Sequence, residues 1–323
     1  LASKYKEHPL CNIGCIRHKE PSVQDAAHQA DARILSAAVV PLHPAFPKPL
    51  VILALCILGG GTLGALWVLA REEWALKLRS AEEAERITGL PVLATIPETA
   101  ARGQVALSEL AVRGNTPLSA AVQGLRSAVQ LSNLDHPPQV VMVTSSVAGE
   151  GKSAHALMLA QAFAGWGKSV LLIEADIRNA GLRAAMRAPG QRGLLSVTAG
   201  LTAFDDAVYR PAGLPVDVLF AETSVTQAAD VLSTTKFAAF LGRMRERYDY
   251  IVIDTPPVLG APDAPLVAAR SDAVIYLARW NHTLRRDLRR GLAVLARSGT
   301  VITGLALSRT NPRKLRHYGV ANG

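Results

Sequence analysis

The sequence predicts an α/β protein in which a parallel sheet carries helices on both faces and is preceded by one transmembrane helix. Two observations support this prediction. From about residue 118 onward, short apolar runs that fit buried strands alternate with longer helical segments, as in βαβ units. Before them lies a run of 21 residues, Leu50 to Ala70, that contains no charged residue.

The composition agrees with a membrane-attached protein. Of the 323 residues 49% are hydrophobic and 19% are charged, and the formal net charge is +9. A basic balance suits either nucleic acid or an anionic membrane surface. The chain has no nucleic-acid motif and no aromatic-rich basic stretch, so we expect no nucleic-acid partner. The three cysteines provide no disulfide framework, and no signal peptide is visible. Because the chain begins with Leu1, we expect a fragment.

Residues 1–49 read as an extracytoplasmic remnant that ends in a proline-rich, extended approach to the apolar run. His8, Cys11, Cys15 and His18 are spaced like a zinc knuckle, but no second hairpin or helix signature accompanies them. A chance cluster or a Cys11–Cys15 disulfide is therefore favoured over a metal site.

The apolar run, residues 50–70, is predicted to span the membrane, because a helix of this length covers about 31 Å. Twenty-residue flanks hold two Lys or Arg before the span and four after it, which places the C-terminal part in the cytoplasm. Gly60 and Gly64 form a small-xxx-small pair of the kind that packs helices together.

Residues 71–117 are predicted to form a cytoplasmic connector to an ATP-binding domain at residues 118–323. Within the connector, Ser80 to Glu83 resembles a capping box that opens a helix ending near Gly89. Leu90 to Pro97 is expected to be extended, and Thr99 to Gly114 to be a mobile linker.

A phosphate-binding loop is predicted after the buried strand Val140 to Val143. Gly149-Glu-Gly-Lys-Ser153 follows a small-residue turn and opens a helix, so that backbone N–H groups converge on an anion. In such a P-loop the lysine reaches the outer phosphates and the serine hydroxyl binds Mg²⁺. The full motif has glycine where this chain has Ser146. The residues predicted to bind the cofactor are Ala148, Gly149, Glu150, Gly151, Lys152, Ser153 and Ala154.

Carboxylates follow two further predicted strands. Glu174 and Asp176 come after Ser169 to Ile173, and Asp254 ends the strand that begins at Tyr250. The carboxyl ends of parallel strands point into the crevice where open α/β sheets bind ligands. Asp254 has the place of a Walker B carboxylate, Asp176 can hold Mg²⁺ or accept a hydroxyl proton, and Glu174 can assist. The predicted metal ligands are Ser153, Asp176 and Asp254.

These motifs together resemble a known family. From Asp31 to Tyr318 the chain is similar to the C-terminal half of bacterial tyrosine autokinases fused to polysaccharide co-polymerases, the capsular and succinoglycan exopolysaccharide type. The matching segments are Arg79–Leu93, Gly149–Ser153, Glu174–Arg178 and Ile253–Pro257. Family members carry an earlier membrane helix and a large periplasmic domain, and neither is present in this sequence.

The resemblance implies an inner-membrane protein that uses ATP and Mg²⁺ to phosphorylate tyrosines in its own C-terminal tail and so regulates polysaccharide chain length, polymerisation and export. It implies Lys152, Glu174 and Asp176 as catalytic residues, with Glu174 in place of the family's first aspartate. Tyr318 is the implied phosphate acceptor. The implied partners are other copies of the chain, the membrane-embedded polymerase and export machinery, and the lipid bilayer.

The sequence departs from the family at the contact between subunits. The family has a Glu-x-x-Arg-x-x-Arg helix before the P-loop, and the aligned residues here are Ala120, Gln123 and Arg126. The tail contains Tyr318 alone instead of a tyrosine cluster. Nucleotide binding is therefore better supported by the sequence than autophosphorylation.

A further departure lies near the expected adenine site, where Ser308 replaces a common asparagine and Asn311 lies close. Three hypotheses remain: a membrane-anchored, ATP-dependent tyrosine autokinase with Tyr318 as acceptor; a catalytically weak ATP-binding regulatory module; and a positioning ATPase of the cell-division or plasmid-partition type. The third is disfavoured because Val147 and Ala148 stand where that class generally has a lysine.

Overall fold

The computed structural model describes residues 48–75, 77–100, 103, 106, 114–222 and 232–311. The cysteine and histidine group before residue 20, most of the expected linker at residues 99–114, and Tyr318 lie outside the described residues.

The described helices and strands follow the predicted alternation from residue 117 onward. The helices are α1 (Pro49–Ala75), α2 (Ala81–Thr88), α3 (Pro117–Leu131), α4 (Lys152–Ala164), α5 (Leu182–Ala185), α6 (Leu194–Ala199), α7 (Phe204–Ala207), α8 (Thr235–Arg247), α9 (Asp263–Ala268) and α10 (Arg285–Arg297). The strands are β1 (Val92–Pro97), β2 (Val140–Ser145), β3 (Val170–Glu174), β4 (Asp217–Leu219), β5 (Tyr250–Asp254), β6 (Ala273–Arg279) and β7 (Gly304–Thr310).

Helix α1 contains the predicted apolar span. Its segment Pro49–Val68 is 20 residues long and is apolar enough to cross a membrane, and none of it is buried within the protein. Large apolar side chains such as Leu50 and Trp67 are 79% and 73% exposed. Burial in a soluble core would have covered these side chains, so their exposure favours a lipid environment.

The seven strands form one parallel sheet in the order β1-β7-β6-β2-β5-β3-β4. The predicted fold class is therefore confirmed. Strand β2 lies at the centre, with β5 on one side and β6 on the other. A loop that follows β2 thus lies beside the carboxyl ends of β5 and β6, where an open sheet binds its ligands.

Alternate residues of each strand face opposite sides of the sheet. Val140 and Met142 belong to the apolar core that includes α8 and α10, whereas Val141 and Val143 belong to the core that includes α3 and α4. All residues of β2 are buried. The uninterrupted apolar run in the sequence reflects this coverage on both faces.

Part of the predicted connector lies in the sheet, because β1 pairs with β7. Gly304 allows this close approach, since a Cβ there would meet the Leu93 side chain and the Pro91 carbonyl oxygen. The preceding helix α2 begins as expected, with the Ser80 hydroxyl accepting from Glu83 N at 3.1 Å. The Glu83 carboxylate accepts a hydrogen bond from Arg79 N at 2.9 Å, whereas in a capping box it would accept from the N-cap residue, Ser80.

Candidate functional site

The predicted phosphate-binding loop connects β2, the central strand, to the N-terminus of α4. Gly149 and Gly151 have φ angles of +81° and +97°, a conformation that costs other residues energy. Lys152 is the first residue of α4 and is 7% exposed. Ser146 does not have a positive φ angle, which explains why serine is compatible with the place where the full motif has glycine.

Buried polar contacts hold the loop in shape. The Glu150 side chain is fully buried, where it accepts from Val147 N at 3.0 Å and from the Thr283 hydroxyl. The Glu150 carbonyl oxygen accepts from the Ser308 hydroxyl at 2.8 Å. Glu150 can therefore contribute to a ligand through its backbone, while its side chain supports the loop from inside.

Two further contacts fix the ends of the loop. The hydroxyls of Ser146 and Tyr276 lie 2.9 Å apart in the core. His155 lies one turn into α4, with Nδ1 2.7 Å from the Gly151 carbonyl oxygen. Because a carbonyl oxygen only accepts, Nδ1 is the donor. Burial lowers the pKa of His155 to about 4, so the imidazole is neutral near pH 7.

Asp254 lies next to the P-loop in the sheet, because its strand β5 pairs with β2 in a register that sets it opposite Val143. The carboxyl group is fully buried, and neither oxygen has a well-formed hydrogen bond within the described residues. Burial raises the pKa of Asp254 to about 7, while the nearby Ser153 hydroxyl and Lys152 ammonium oppose this rise. A buried carboxylate of this kind requires a counter-charge to remain ionised.

Asp176 and Glu174 lie at the carboxyl end of β3, the strand next to β5, but they differ in how many hydrogen bonds they accept. Asp176 is 5% exposed, and its Oδ1 accepts one bond from Asn179 N at 3.1 Å. Glu174 uses both oxygens on backbone amides. It accepts from Gly181 N and Leu182 N through Oε1, at 2.9 and 2.8 Å, and from Ala221 N through Oε2, at 3.2 Å.

Burial raises the pKa of Glu174, although the three amide bonds oppose the rise. These bonds join the end of β3 to the start of α5 and to the segment after β4. In this arrangement Glu174 stabilises the walls of the crevice. Both of its oxygens already accept from backbone N–H groups, so neither is fully available to accept a proton or to bind a metal ion. The predicted catalytic role of Glu174 is thus less well supported by the geometry than that of Asp176.

The chemistry of this donor set fits Mg²⁺. Among the described residues, no three His, Cys, Asp or Glu side chains converge closely enough to hold a metal ion by themselves. Mg²⁺ does not require such a cage, because it typically takes one or two carboxylates together with waters and substrate phosphates. The unbonded oxygens of Asp254, close to the Ser153 hydroxyl, suit this mode of binding.

Two cavities flank the loop. One, of about 280 Å³, lies toward β5 and is lined by Ser146 to Ala148, Arg178, Asn179 and the prolines after Asp254. The other, of about 80 Å³, lies toward β1 and β7, and its walls include Met158, His155 and Arg309. The loop therefore has open space on both sides.

The helix that precedes the P-loop strand, α3, carries the arginine that matches the family's subunit-contact pattern, and this arginine packs against its own chain. The Arg126 guanidinium lies 3.6 Å from the Trp166 ring centroid of its own chain, and Nη1 is 3.5 Å from the Ala162 carbonyl oxygen. Arg126 is 4% exposed. The one arginine that matches the family pattern is thus packed inside its own chain.

A glycine-containing loop after a central parallel strand, with a buried lysine and a carboxylate on the adjacent strand, defines a P-loop nucleotide-binding protein. Comparison with known proteins narrows this class. Residues 138–280 match the family described as an AAA domain, and residues 16–73 match the "G-rich domain on putative tyrosine kinase".

The named relatives of the chain include tyrosine-protein kinases and a polysaccharide transport protein. Tyrosine-protein kinase ptk of Acinetobacter johnsonii is 27% identical over 301 residues, which are 90% of this chain and 41% of that protein. The succinoglycan biosynthesis transport protein ExoP of Rhizobium meliloti (strain 1021) is 25% identical over 343 residues, which are 95% of this chain and 43% of that protein. The chain thus spans about two fifths of the length of these relatives.

Solved structures give the same result. The kinase domain of VpsO is 33% identical, with a TM-score of 0.55, and the match covers 60% of this chain and 96% of that domain. The BceF tyrosine kinase domain, at 24% identity and a TM-score of 0.64 over 72% of this chain and 100% of that domain, shows the same fold. The chain belongs to the bacterial tyrosine-kinase family of polysaccharide co-polymerases, as its motifs indicated.

Several supporting residues were not found from the sequence. Tyr276 and Thr283 contact the P-loop from 130 or more residues away in the chain. Asp263, 1% exposed, lies 3.3 Å from Arg178 Nε beside the larger cavity. No local motif marks these residues.

Proposed function

We propose that the chain binds ATP with Mg²⁺ at the P-loop and transfers the γ-phosphate to a tyrosine in the C-terminal tail of another copy of the same chain. The proposed acceptor is Tyr318. The observation that carries this proposal is the buried, unbonded carboxylate of Asp254 beside Ser153 and Lys152. Such a group is costly unless a cation joins it, and a nucleotide-bound Mg²⁺ supplies one.

The roles of the binding residues follow from their positions. Backbone N–H groups at the start of α4 face the phosphates, and the Lys152 ammonium stabilises the charge on the β- and γ-phosphates. The hydroxyl of Ser153 and the carboxylate of Asp254 hold Mg²⁺. Held there, Mg²⁺ would supply neutralisation of the charge that develops during phosphoryl transfer.

In the transfer itself, Asp176 takes the proton from the tyrosine hydroxyl. The tyrosine oxygen forms a bond to the γ-phosphorus as the bond from that phosphorus to the β–γ bridging oxygen breaks, and ADP leaves. The 280 Å³ cavity beside Ser146 and Pro257 has the place and the apolar walls to receive an aromatic side chain. The nucleoside then lies on the β7 side of the loop and extends beyond the 80 Å³ cavity, which is too small to enclose it.

We further propose that α1 anchors the chain in the inner membrane, that residues 71–323 are cytoplasmic, and that residues 118–323 contain the ATP site. The excess of Lys and Arg after the span supports this orientation. By analogy with the named relatives, the partners are other copies of the chain and the machinery that polymerises and exports a polysaccharide.

A second function, a regulatory module that binds ATP without efficient transfer, is favoured by two specific observations. Glu174 is occupied by three backbone amides, and Arg126 packs on Trp166 of its own chain. The first observation weakens the catalytic carboxylate pair. The second, with Ala120 and Gln123, removes charges by which a neighbouring copy could present its tail.

Mixing two variants of the full chain in detergent micelles tests transfer between copies. Tyr318→Phe keeps the ATP site and lacks the proposed acceptor, whereas Lys152→Ala keeps the acceptor and lacks the phosphate ligand. The two carry tags of different size, so that phosphotyrosine on each can be read separately after incubation with Mg²⁺ and ATP.

We expect phosphotyrosine on the Lys152→Ala chain only when the Tyr318→Phe chain is present. Phosphotyrosine on the Lys152→Ala chain alone would contradict the assignment of the site. If no phosphotyrosine forms in any mixture or in wild type, while wild type still binds ATP, transfer is excluded and the regulatory function stands.

A further inference from the structure

The outer surface of α10 is strongly basic. Arg286, Arg289 and Arg290 are exposed, while Leu288 and Leu295 on the opposite side are fully buried in the core. Asp287 is the acidic residue of this helix, and its Oδ1 lies 3.5 Å from Arg286 Nε. The helix therefore presents a positive surface to its surroundings and is held in place by its apolar side.

A groove between α2 and α10 extends this positive surface. It has a volume of about 380 Å³, and its lining includes Arg79, Arg86 and Arg285. The acidic residue in the groove, Glu83, already forms an ion pair with Arg285 and accepts from Arg79 N. Glu82 and Glu85 lie on the same helix α2; Glu85 Oε1 accepts from Val92 N at 2.8 Å. We call the six arginines in positions 79, 86, 285, 286, 289 and 290 the basic face.

The chain reaches the basic face directly from its apolar helix. Leu78 N donates to the Thr283 carbonyl oxygen at 3.1 Å, and Asn281 N donates to the Leu78 carbonyl oxygen at 2.7 Å. Lys77 forms an isolated bridge with Leu284, which precedes α10. The segment that leaves α1 is thus hydrogen-bonded to the start of α10, and both belong to one compact unit, Ala65–Gly323.

The connection limits the distance between the basic face and a bilayer that α1 spans. The apolar segment ends at Val68, and α1 continues to Ala75. Seven helical residues cover only about 10 Å. Residues 76 and 77 add at most about 7 Å, so chain length keeps the start of α10 within roughly two Debye lengths of the lipid surface. The connection is therefore short enough for the basic face to reach the headgroups.

We propose that the basic face docks on the anionic phospholipid headgroups of the membrane in which α1 sits. The lipid phosphates complement the arginine side chains, and each Lys or Arg close to an anionic leaflet strengthens attachment by roughly fivefold. The interaction goes beyond phosphoryl transfer and requires only that α1 spans the bilayer. Nucleic acid is a poorer match, because α2 and α10 contain no aromatic residue that would stack on bases, and the nearby Trp280 indole donates to the Arg79 carbonyl oxygen at 2.6 Å.

Hydrogen exchange of the full chain in lipid nanodiscs tests this proposal. One set of discs contains phosphatidylcholine alone, and the other contains about 30% phosphatidylglycerol. The variant is Arg289→Gln/Arg290→Gln. Its matched control is Lys236→Gln/Arg243→Gln on α8, which removes the same charge from exposed positions of another helix. ATP affinity and exchange of the β2 amides report whether each variant is folded.

We expect amides of residues 285–297 to exchange more slowly in the anionic discs, and the difference to shrink at about 0.5 M salt. The α10 variant should lower the ratio of docked to undocked protein by about thirtyfold and abolish the difference, whereas the α8 variant should retain it. Equal exchange in both disc types would overturn the proposal, as would an α10 variant that behaves like wild type. Protection that depends on two chains per disc, in either lipid, would assign the face to a second copy instead.

Discussion

Replacement of Asp254 by asparagine should stabilise the nucleotide-free protein near pH 8 and lose most of that effect near pH 5. The carboxyl group is fully buried without a well-formed hydrogen bond, and burial raises its pKa to about 7. An aspartate in an unfolded chain has a pKa of about 3.9. Above pH 7 the group is ionised in both states, so folding must bury a charge.

The size of this cost follows from the two pKa values. The difference between about 3.9 and about 7 corresponds to about 4 kcal/mol at 1.36 kcal/mol per pKa unit. As the pH falls from 7 toward 4, the folded state binds a proton that the unfolded state lacks, and stability rises. An asparagine amide left without a partner costs about 1–3 kcal/mol. The net gain for Asp254→Asn near pH 8 is therefore about 2 kcal/mol.

Thermal unfolding of the full chain in detergent, with EDTA and without nucleotide, measures this effect. A gain of about 2 kcal/mol raises the Tm by roughly 4–8 °C for a domain of this size. Asp135→Asn, at an exposed position, is the control and should leave the Tm unchanged at both pH values. An equal Tm change for Asp254→Asn near pH 5 and near pH 8 would refute the explanation by a buried charge. The same variant should also lose the increase in ATP affinity that Mg²⁺ gives wild type.

Three further predictions concern the loop and its supports. Lys152→Ala should weaken ATP binding by about a hundredfold, since a charge-assisted contact is lost, whereas Lys168→Ala on the exposed far edge should not; calorimetric titration checks both. Glu174→Gln should lower the free energy of unfolding by about 1–3 kcal/mol with little change in ATP affinity, because the single oxygen of the glutamine amide cannot accept from all three backbone N–H groups that the carboxylate binds. Thermal unfolding and ATP titration measure the two effects. A large loss of ATP affinity would indicate that Glu174 contacts the nucleotide directly. Gly291→Ala should destabilise by about 1–3 kcal/mol, because its Cβ would overlap the Tyr276 hydroxyl, and Tyr276→Phe in the same chain should recover part of this loss in thermal unfolding.

The fold was predictable because its signals are local. Buried strands such as β2 and β5 are apolar along their whole length, and Ser80 and Gly89 mark the ends of α2. Strand β1 was expected only to be extended. Its pairing depends on Gly304, more than 200 residues later, and no periodicity within Leu90 to Pro97 announces that partner.

The candidate site was predictable in part for a similar reason. Lys152, Ser153 and Asp254 stand at fixed places relative to their strands, so the motif alone brings them together. The engagement of Glu174 was not predictable, because its three donors come from α5 and from the end of β4. Arg126 matched a family position, yet its packing on Trp166 depends on how α3 lies against α4. Such contacts are decided by tertiary structure.

Phosphotyrosine formation by the purified full chain, with Mg²⁺ and ATP, tests the central claim most directly. We predict a signal in wild type that disappears in Lys152→Ala, in Tyr318→Phe and when EDTA removes Mg²⁺. A signal that persists in Lys152→Ala would contradict the assignment of the P-loop as the site of transfer. No signal in wild type that still binds ATP would contradict the kinase function itself.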